Sequence, residues 1–345
     1  MTVDKPDATG QNVPLVGRGA ELDDLDGLLA SVAARDGAVV FLEGEAGIGR
    51  TRLVAALAPG AEMLDLDRIA LGFPDDADGP VLEALLAAGG ERPRVLVLDD
   101  IHLASDAALE VLTRYAHAGP LAGTLLVLTL RPVPHRRQVQ ETVVAWVRAG
   151  ARNLELRPLG AGAVVELGEA LAHHHVGPVL RGVLSTTGGN PRLVSAVIDA
   201  AQRTGALRAA EDGVVDLEGF GWQGELDAAA RRHVDYLEPP VLGLLAEAAV
   251  LGPSFVVPDL AALADLPLTE CWRTLRHALA AGVVAARGDR LVFRHDVVRG
   301  ALYSGLEHEQ RRALHQRAAS TLGDAGAPDH VVAGPLERAR AAGRA

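Results

Sequence analysis

Lysine is almost missing from this chain of 345 residues: Lys5 is the only one, and every other basic residue is arginine. Cysteine is equally scarce. Cys271 stands alone, which excludes an internal disulfide and a cysteine-rich metal site and leaves it the reading of a small buried apolar residue. Aromatic residues make up only 3% against 49% hydrophobic residues, so Leu, Val and Ala must fill the core. That composition favours helices and buried parallel strands over an all-β sandwich. Base is short relative to acid, with 33 Lys and Arg against 45 Asp and Glu and a formal net charge of -12. A free-standing DNA-binding domain would present a basic face, and the overall balance argues against one. No long uncharged apolar run and no signal peptide is present, so the expectation is a soluble cytoplasmic protein without membrane contact. At roughly 150 residues per domain, the length calls for about two or three domains.

The apolar runs set the first domain. Val39–Leu42, Met63–Leu66, Val95–Leu98, Leu125–Leu130 and Asn153–Leu156 have strand character. They alternate with helical stretches at 21–34, 50–57, 81–88, 106–116 and 138–148, and an acidic loop at 72–79. Such alternation means βα units and a parallel sheet buried on both faces. The remainder has helical character: 161–174, 178–187 and 191–204, then an acidic, Gly-rich linker at 211–224, then 240–250, 258–264 and 269–281. Val283–Ala286, Arg287-Gly288-Asp289 and Arg290–Phe293 form a hairpin pattern. Helices follow from Val297 and from Glu307 to Leu322. The expected domains are a disordered tail at 1–13, an α/β nucleotide-binding domain at 14–158, an all-α lid at 159–225, a winged helix at 226–322, and a flexible tail or the start of a missing region at 323–345.

Gly44-Glu45-Ala46-Gly47-Ile48-Gly49-Arg50-Thr51 follows a strand and opens a helix, the context a P-loop requires. Glycines let the backbone curl so that its N–H groups face phosphate oxygens, and the helix start adds its dipole. Thr51 offers a hydroxyl to Mg²⁺, and Arg52 follows it on the same turn. Asp99 and Asp100 end an apolar strand, where an acid holds Mg²⁺ and a neighbour positions the attacking water. Adjacent acids there could instead cap the next helix. Arg131 closes the following strand and is a candidate sensor of the γ-phosphate, with a solvated loop arginine as the alternative. His173-His174-His175 has the look of a metal site, but consecutive helical residues do not share a face.

Taken together, these residues resemble the STAND branch of P-loop ATPases. The nearest resemblance is to the ATPase region of large ATP-binding regulators of the LuxR family, of the maltose-regulator type, without their C-terminal helix-turn-helix. Leu15-Val16-Gly17-Arg18 with Glu21-Leu22 is similar to that family's opening motif, which lies against adenine. Val95–His102 resembles its Walker B segment, and Gly188-Gly189-Asn190-Pro191 its lid motif, whose proline touches adenine. Phe293-Arg294-His295-Asp296-Val297-Val298-Arg299 is similar to that family's winged-helix signature, and it also resembles the Met-His-Asp motif of plant NB-ARC switches, whose histidine contacts the ADP β-phosphate; a helix-capping Asp296 beside a structural histidine is the alternative. The resemblance implies a sheet of order 5-1-4-3-2, an ATP- or ADP-bound signalling switch with Mg²⁺, self-association in the ATP state, and an inducer that is a protein or a small molecule. No direct DNA-binding unit is evident.

Arg50 departs from that pattern, which has lysine. An ammonium is a compact charge; a guanidinium is a wider planar fork that cannot take its place. Nucleotide binding in weakened form and slow hydrolysis are expected, though a chain this poor in lysine could have lost it by drift of composition. Three readings stay open: a nucleotide switch, a degenerate ATPase serving as a protein scaffold, and a motor ATPase, which Arg50 disfavours.

Overall fold

In the computed structural model, residues 15–64, 67–72, 78–87, 93–132, 135–210, 213–219 and 221–324 are described. The tail expected at 1–13, the centre of the acidic loop and the tail beyond residue 324 lie outside them.

The first domain runs α1 (Gly19–Ala33), β1 (Ala38–Glu43), α2 (Arg50–Ala55), α3 (Ala58–Met63), β2 (Asp67–Gly72), α4 (Asp78–Ala87), β3 (Arg94–Asp99), α5 (Asp106–Ala118), β4 (Thr124–Leu130), α6 (Arg137–Arg148) and β5 (Arg152–Glu155). The five strands pair in parallel in the order β2-β3-β4-β1-β5, which from the β5 edge runs 5-1-4-3-2. Strand pleating explains the layers. Val40 and Leu42 face Leu25, Leu29, Leu53 and Leu57 on one side. Val39 and Phe41 face the opposite side, with Leu109, Leu112, Val139 and Trp146. Both faces are covered, so the central strands carry unbroken apolar runs.

One strand lies elsewhere than expected. Met63 closes α3 and is 82% exposed, residues 65 and 66 lie outside the described residues, and the second described strand is Asp67–Gly72. An edge strand has one neighbour and tolerates polar residues, so Asp67 and Arg68 masked it.

The rest of the chain forms α7 (Ala161–Ala172), β6 (His175–Val176), α8 (Pro178–Ser185), α9 (Pro191–Arg203), β7 (Leu207–Ala209), β8 (Val214–Leu217), α10 (Trp222–Val234), α11 (Pro239–Leu251), β9 (Ser254–Phe255), α12 (Val257–Leu263), α13 (Leu268–Ala280), β10 (Val284–Arg287), β11 (Arg290–Phe293), α14 (Asp296–Ser304) and α15 (His308–Asp324). The segment expected to be all-α therefore contains a small sheet, β6-β8-β7. The supposed linker supplies β8, with Val215 and Leu217 turned inward and Asp216 accepting from the α8 amides of Val179 (3.1 Å) and Leu180 (2.6 Å). The expected boundary at 225/226 falls inside α10. One continuous core joins Leu193 and Val197 of α9 to Leu226 of α10, Leu245 of α11 and Val298 of α14. The expected lid and the region after it are thus one helical unit, not two loosely tethered pieces. Three helices, α11, α12 and α13, precede the β10–β11 hairpin, which adds β9 in an antiparallel sheet.

His173 takes a left-handed conformation as the C-cap of α7 while His175 enters β6, and no metal-binding cluster exists among the described residues. Cys271 is fully buried. No described helix is long and apolar enough to cross a membrane.

Candidate functional site

The loop Gly44–Thr51 leaves β1, the strand flanked by β4 and β5, and enters α2. Gly47 (φ 74°) and Gly49 (φ 104°) adopt left-handed backbone, which turns successive N–H groups toward one side. The Gly44 amide donates to Leu130 O (3.3 Å) and the Ile48 amide to Glu45 O (3.3 Å). Ala46 and Ile48 are buried, while Thr51 and Arg52 are exposed where α2 begins. The segment at 16–18 lies against this loop. Arg18, 5% exposed, donates to Ile48 O (3.1 Å) and pairs with Glu21 (2.9 Å). Val16 is buried, and Gly17 packs on Ala163 of α7.

Arg50 does not follow the loop outward. Its guanidinium turns back under the loop and donates to Gly44 O, to Leu130 O (3.0 Å) and to Asp100 Oδ1 (2.8 Å). The other Asp100 oxygen lies 3.5 Å from Arg131. Asp99 accepts the Thr129 hydroxyl at 2.5 Å, and that hydroxyl oxygen accepts from the Asp100 amide at 2.8 Å. Asp99, Asp100 and Arg131, expected together at the strand ends, do converge. Both guanidinium groups meet Asp100 while Asp99 holds the Thr129 hydroxyl, so the formal charges of these two acids and two arginines sum to zero. His102 sits 3.8 Å from Asp100, beyond hydrogen-bond range. Burial pushes its pKa down to about 4, against the opposing pull of Asp100.

The helical unit meets the loop through a buried polar junction. Glu45, 5% exposed, accepts from Asn190 Nδ2 (2.7 Å) and stands 3.3 Å from His295 Nε2, with Arg294 at 3.9 Å. Asn190 also donates to Ala46 O (2.9 Å), and its oxygen caps α9 by accepting from Arg192 N (3.1 Å) and Leu193 N (3.4 Å). His295 is 1% exposed, and its Nδ1 pairs with Thr187 O at 2.8 Å. Both ring nitrogens thus face protein atoms, with the Glu45 carboxylate in the place expected for phosphate. Burial raises the Glu45 pKa, but His295, Asn190 and Arg294 outweigh it and hold the group below its ordinary value. Pro191 opens α9, and the Arg192 amide donates to Gly47 O at 3.2 Å. A Cβ on Gly47 would come 2.6 Å from Arg192 Cβ, so glycine is required there for contact as well as for φ. A cavity of about 310 Å³ opens beside Glu45, between Asn153 and Glu155 of the sheet domain and Gly282 and Arg294 of the helical unit.

Sequence reasoning did not find Asn190, Arg192 or Tyr236 as site residues. Asn before Pro is an N-cap signature that could have marked the first. Nothing marked Tyr236, which follows α10 in the helical unit and lays its ring 4.7 Å from the Arg131 guanidinium carbon. Burial pushes the Tyr236 hydroxyl up to about 12.

No family model and no curated protein matches the sequence. Solved structures match the fold. The Walker-type ATPase PABY2304 of Pyrococcus abyssi is similar with a TM-score of 0.58 at 12% identity, over 84% of this chain and 96% of that one. Aeropyrum pernix ORC2, in ADPNP–ADP complexes, gives 0.54 at 14% identity, over 86% and 97%. The Holliday junction branch migration motor RuvB of Thermotoga maritima gives 0.45 at 18% identity, over 84% and 95%, too low a score to carry weight. At such identities the likeness shows a P-loop ATPase fold and nothing finer.

Proposed function

We propose that the chain binds ATP or ADP on the Gly44–Thr51 loop and that the nucleotide sets how the helical unit sits on the sheet domain. It would thereby work as a signalling switch of the regulator type, with the α11–β11 region as its winged helix. The observation that carries this reading is Glu45. A residue of the nucleotide loop itself is bonded at once to Asn190 of the lid and His295 of the following region. A ligand shifts a two-state equilibrium only by its difference in affinity for the two states. Here that difference would come from the loop's backbone amides and from Arg192, an exposed cation that rides on Gly47. Because one core runs through α7–α14, the unit would move as a body, with the seam at Glu45 opening and closing. His295 would then sense the nucleotide through Glu45 rather than by touching the phosphate.

Hydrolysis is expected to be slow. Asp100, in the position to orient a water, is bonded to Arg50 and flanked by Arg131. The same withdrawal of Arg50 from the phosphate side favours the second reading, a degenerate ATPase kept as a protein scaffold. Titration of ADP and ATP by calorimetry separates the two. Saturable binding of one nucleotide per chain, lost in Gly47→Ala, supports the switch; no binding of either nucleotide leaves the scaffold.

A further inference from the structure

We propose that the Arg50 guanidinium stands where a P-loop protein would place its divalent cation, so that this chain binds its nucleotide without Mg²⁺. The inference rests on the nucleotide-binding reading and specifies the chemistry of that site.

Arg50 donates to the carbonyls of Gly44 and Leu130, at the ends of adjacent strands β1 and β4, and to Asp100 Oδ1 at 2.8 Å. Its side chain is 9% exposed, so it is not a surface arginine free to swing away. Arg131 approaches the second Asp100 oxygen at 3.5 Å and is itself held against the Tyr236 ring. Asp99, the expected magnesium ligand, already takes the Thr129 hydroxyl at 2.5 Å. Both oxygens of Asp100 and one of Asp99 are therefore engaged with protein groups.

Charge makes the same case. A Mg²⁺ ion needs near-octahedral oxygen donors at about 2.0–2.1 Å and is drawn in by uncompensated carboxylates. At this strand end two negative charges are already met by two fixed positive ones. A dication placed on Asp99 would have only that residue's second oxygen, since Asp100 is taken by both arginines, and it would feel the repulsion of Arg50 and Arg131, which is strong in a partly buried site. A lysine would have behaved differently. Its single ammonium has no fork to span two carbonyls and a carboxylate at once, so it could reach toward phosphate and leave the acids to a metal. Thr51, exposed at the start of α2, would then have no ion to ligate in the arginine protein.

The test compares ADP binding in excess EDTA and in millimolar Mg²⁺ by calorimetry, for wild type, Arg50→Lys and Arg50→Ala. Each variant is first checked for an unchanged circular dichroism spectrum, and the milder lysine variant serves if alanine does not fold. The expected result is wild-type affinity equal in the two buffers within about twofold. In the variants Mg²⁺ should tighten binding by about tenfold or more, as removing a close like charge from the ion's surroundings predicts. Mn²⁺ alone, followed by its paramagnetic resonance signal, should bind the variants more tightly than wild type. Wild-type binding that Mg²⁺ strengthens tenfold overturns this inference and leaves nucleotide binding standing. Equal metal independence in all three proteins overturns the assignment to Arg50. Absence of ADP binding in both buffers overturns the nucleotide reading, and this inference with it.

Discussion

Replacing His295 by alanine removes one of the few polar links between the helical unit and the loop. The imidazole has two polar partners, Thr187 O at 2.8 Å and Glu45 at 3.3 Å. Only the second crosses the seam, because Thr187 belongs to the same unit. A hydrogen bond to a charged group contributes about 1.5–3 kcal/mol, which corresponds to about a ten- to hundredfold change in an opening equilibrium. Amide exchange reads that opening. The Arg192 amide is shared between Gly47 O across the seam and Asn190 Oδ1 inside the unit, so it should exchange faster by up to that factor, while the Gly177 amide, bonded to Val215 O inside the unit, should not change. Glu45→Gln should act similarly, and the double variant should cost little more than either alone, since both remove one contact. The sign with pH follows from Glu45. Its folded pKa lies below 4.5, so it stabilises the closed seam above that pH and the contribution is lost as pH falls through the folded value. In His295→Ala burial is less opposed, the Glu45 pKa rises, and acid opening should begin at higher pH. Additive effects of the two single changes, within about 0.5 kcal/mol, would refute the link.

Other outcomes rest on the same geometry. Tyr236→Ala should weaken the seam by about 0.5–2 kcal/mol through loss of the ring over Arg131, while Tyr236→Phe should retain it; equal Arg192 exchange in wild type and Tyr236→Ala would show that the stack holds nothing. Gly47→Ala should abolish nucleotide binding without altering the circular dichroism spectrum, because φ 74° and the 2.6 Å approach to Arg192 both oppose a Cβ; retained affinity would move the nucleotide elsewhere. His102 and His233, pushed down to about 4 by burial, stay neutral from about pH 5 to 8. Neither should contribute to any pH dependence of ADP affinity in that range, so His102→Ala should leave the profile's shape unchanged. Cys271, buried and raised to about 11, should resist thiol reagents until the protein unfolds.

The central strands were legible because both faces are buried, which makes β1, β3 and β4 unbroken apolar runs. The edge strand Asp67–Gly72 was not, since one open side lets it carry charge. The linker at 211–224 misled for a related reason. Its acids and glycines suggest loop, yet Asp216 caps α8 and Gly213 makes the turn into β8. The loop, the acid pair and Arg131 meet at the ends of β1, β3 and β4, where their order along the chain puts them. What the sequence concealed was direction. Arg50 turns inward because two carbonyls and Asp100 await it there, and Glu45 turns toward the lid because Asn190 and His295 lie 145 and 250 residues away in the chain. Partners that distant leave no local pattern, and Tyr236 is the same case.

Nucleotide on the loop and closure of the helical unit are, on this reading, one equilibrium. The most direct test titrates ADP into nucleotide-free protein while following exchange of the Arg192 amide. Protection of this amide should rise along the ADP binding curve, with the Gly177 amide unchanged. Saturable ADP binding with Arg192 exchange unaltered would contradict the coupling.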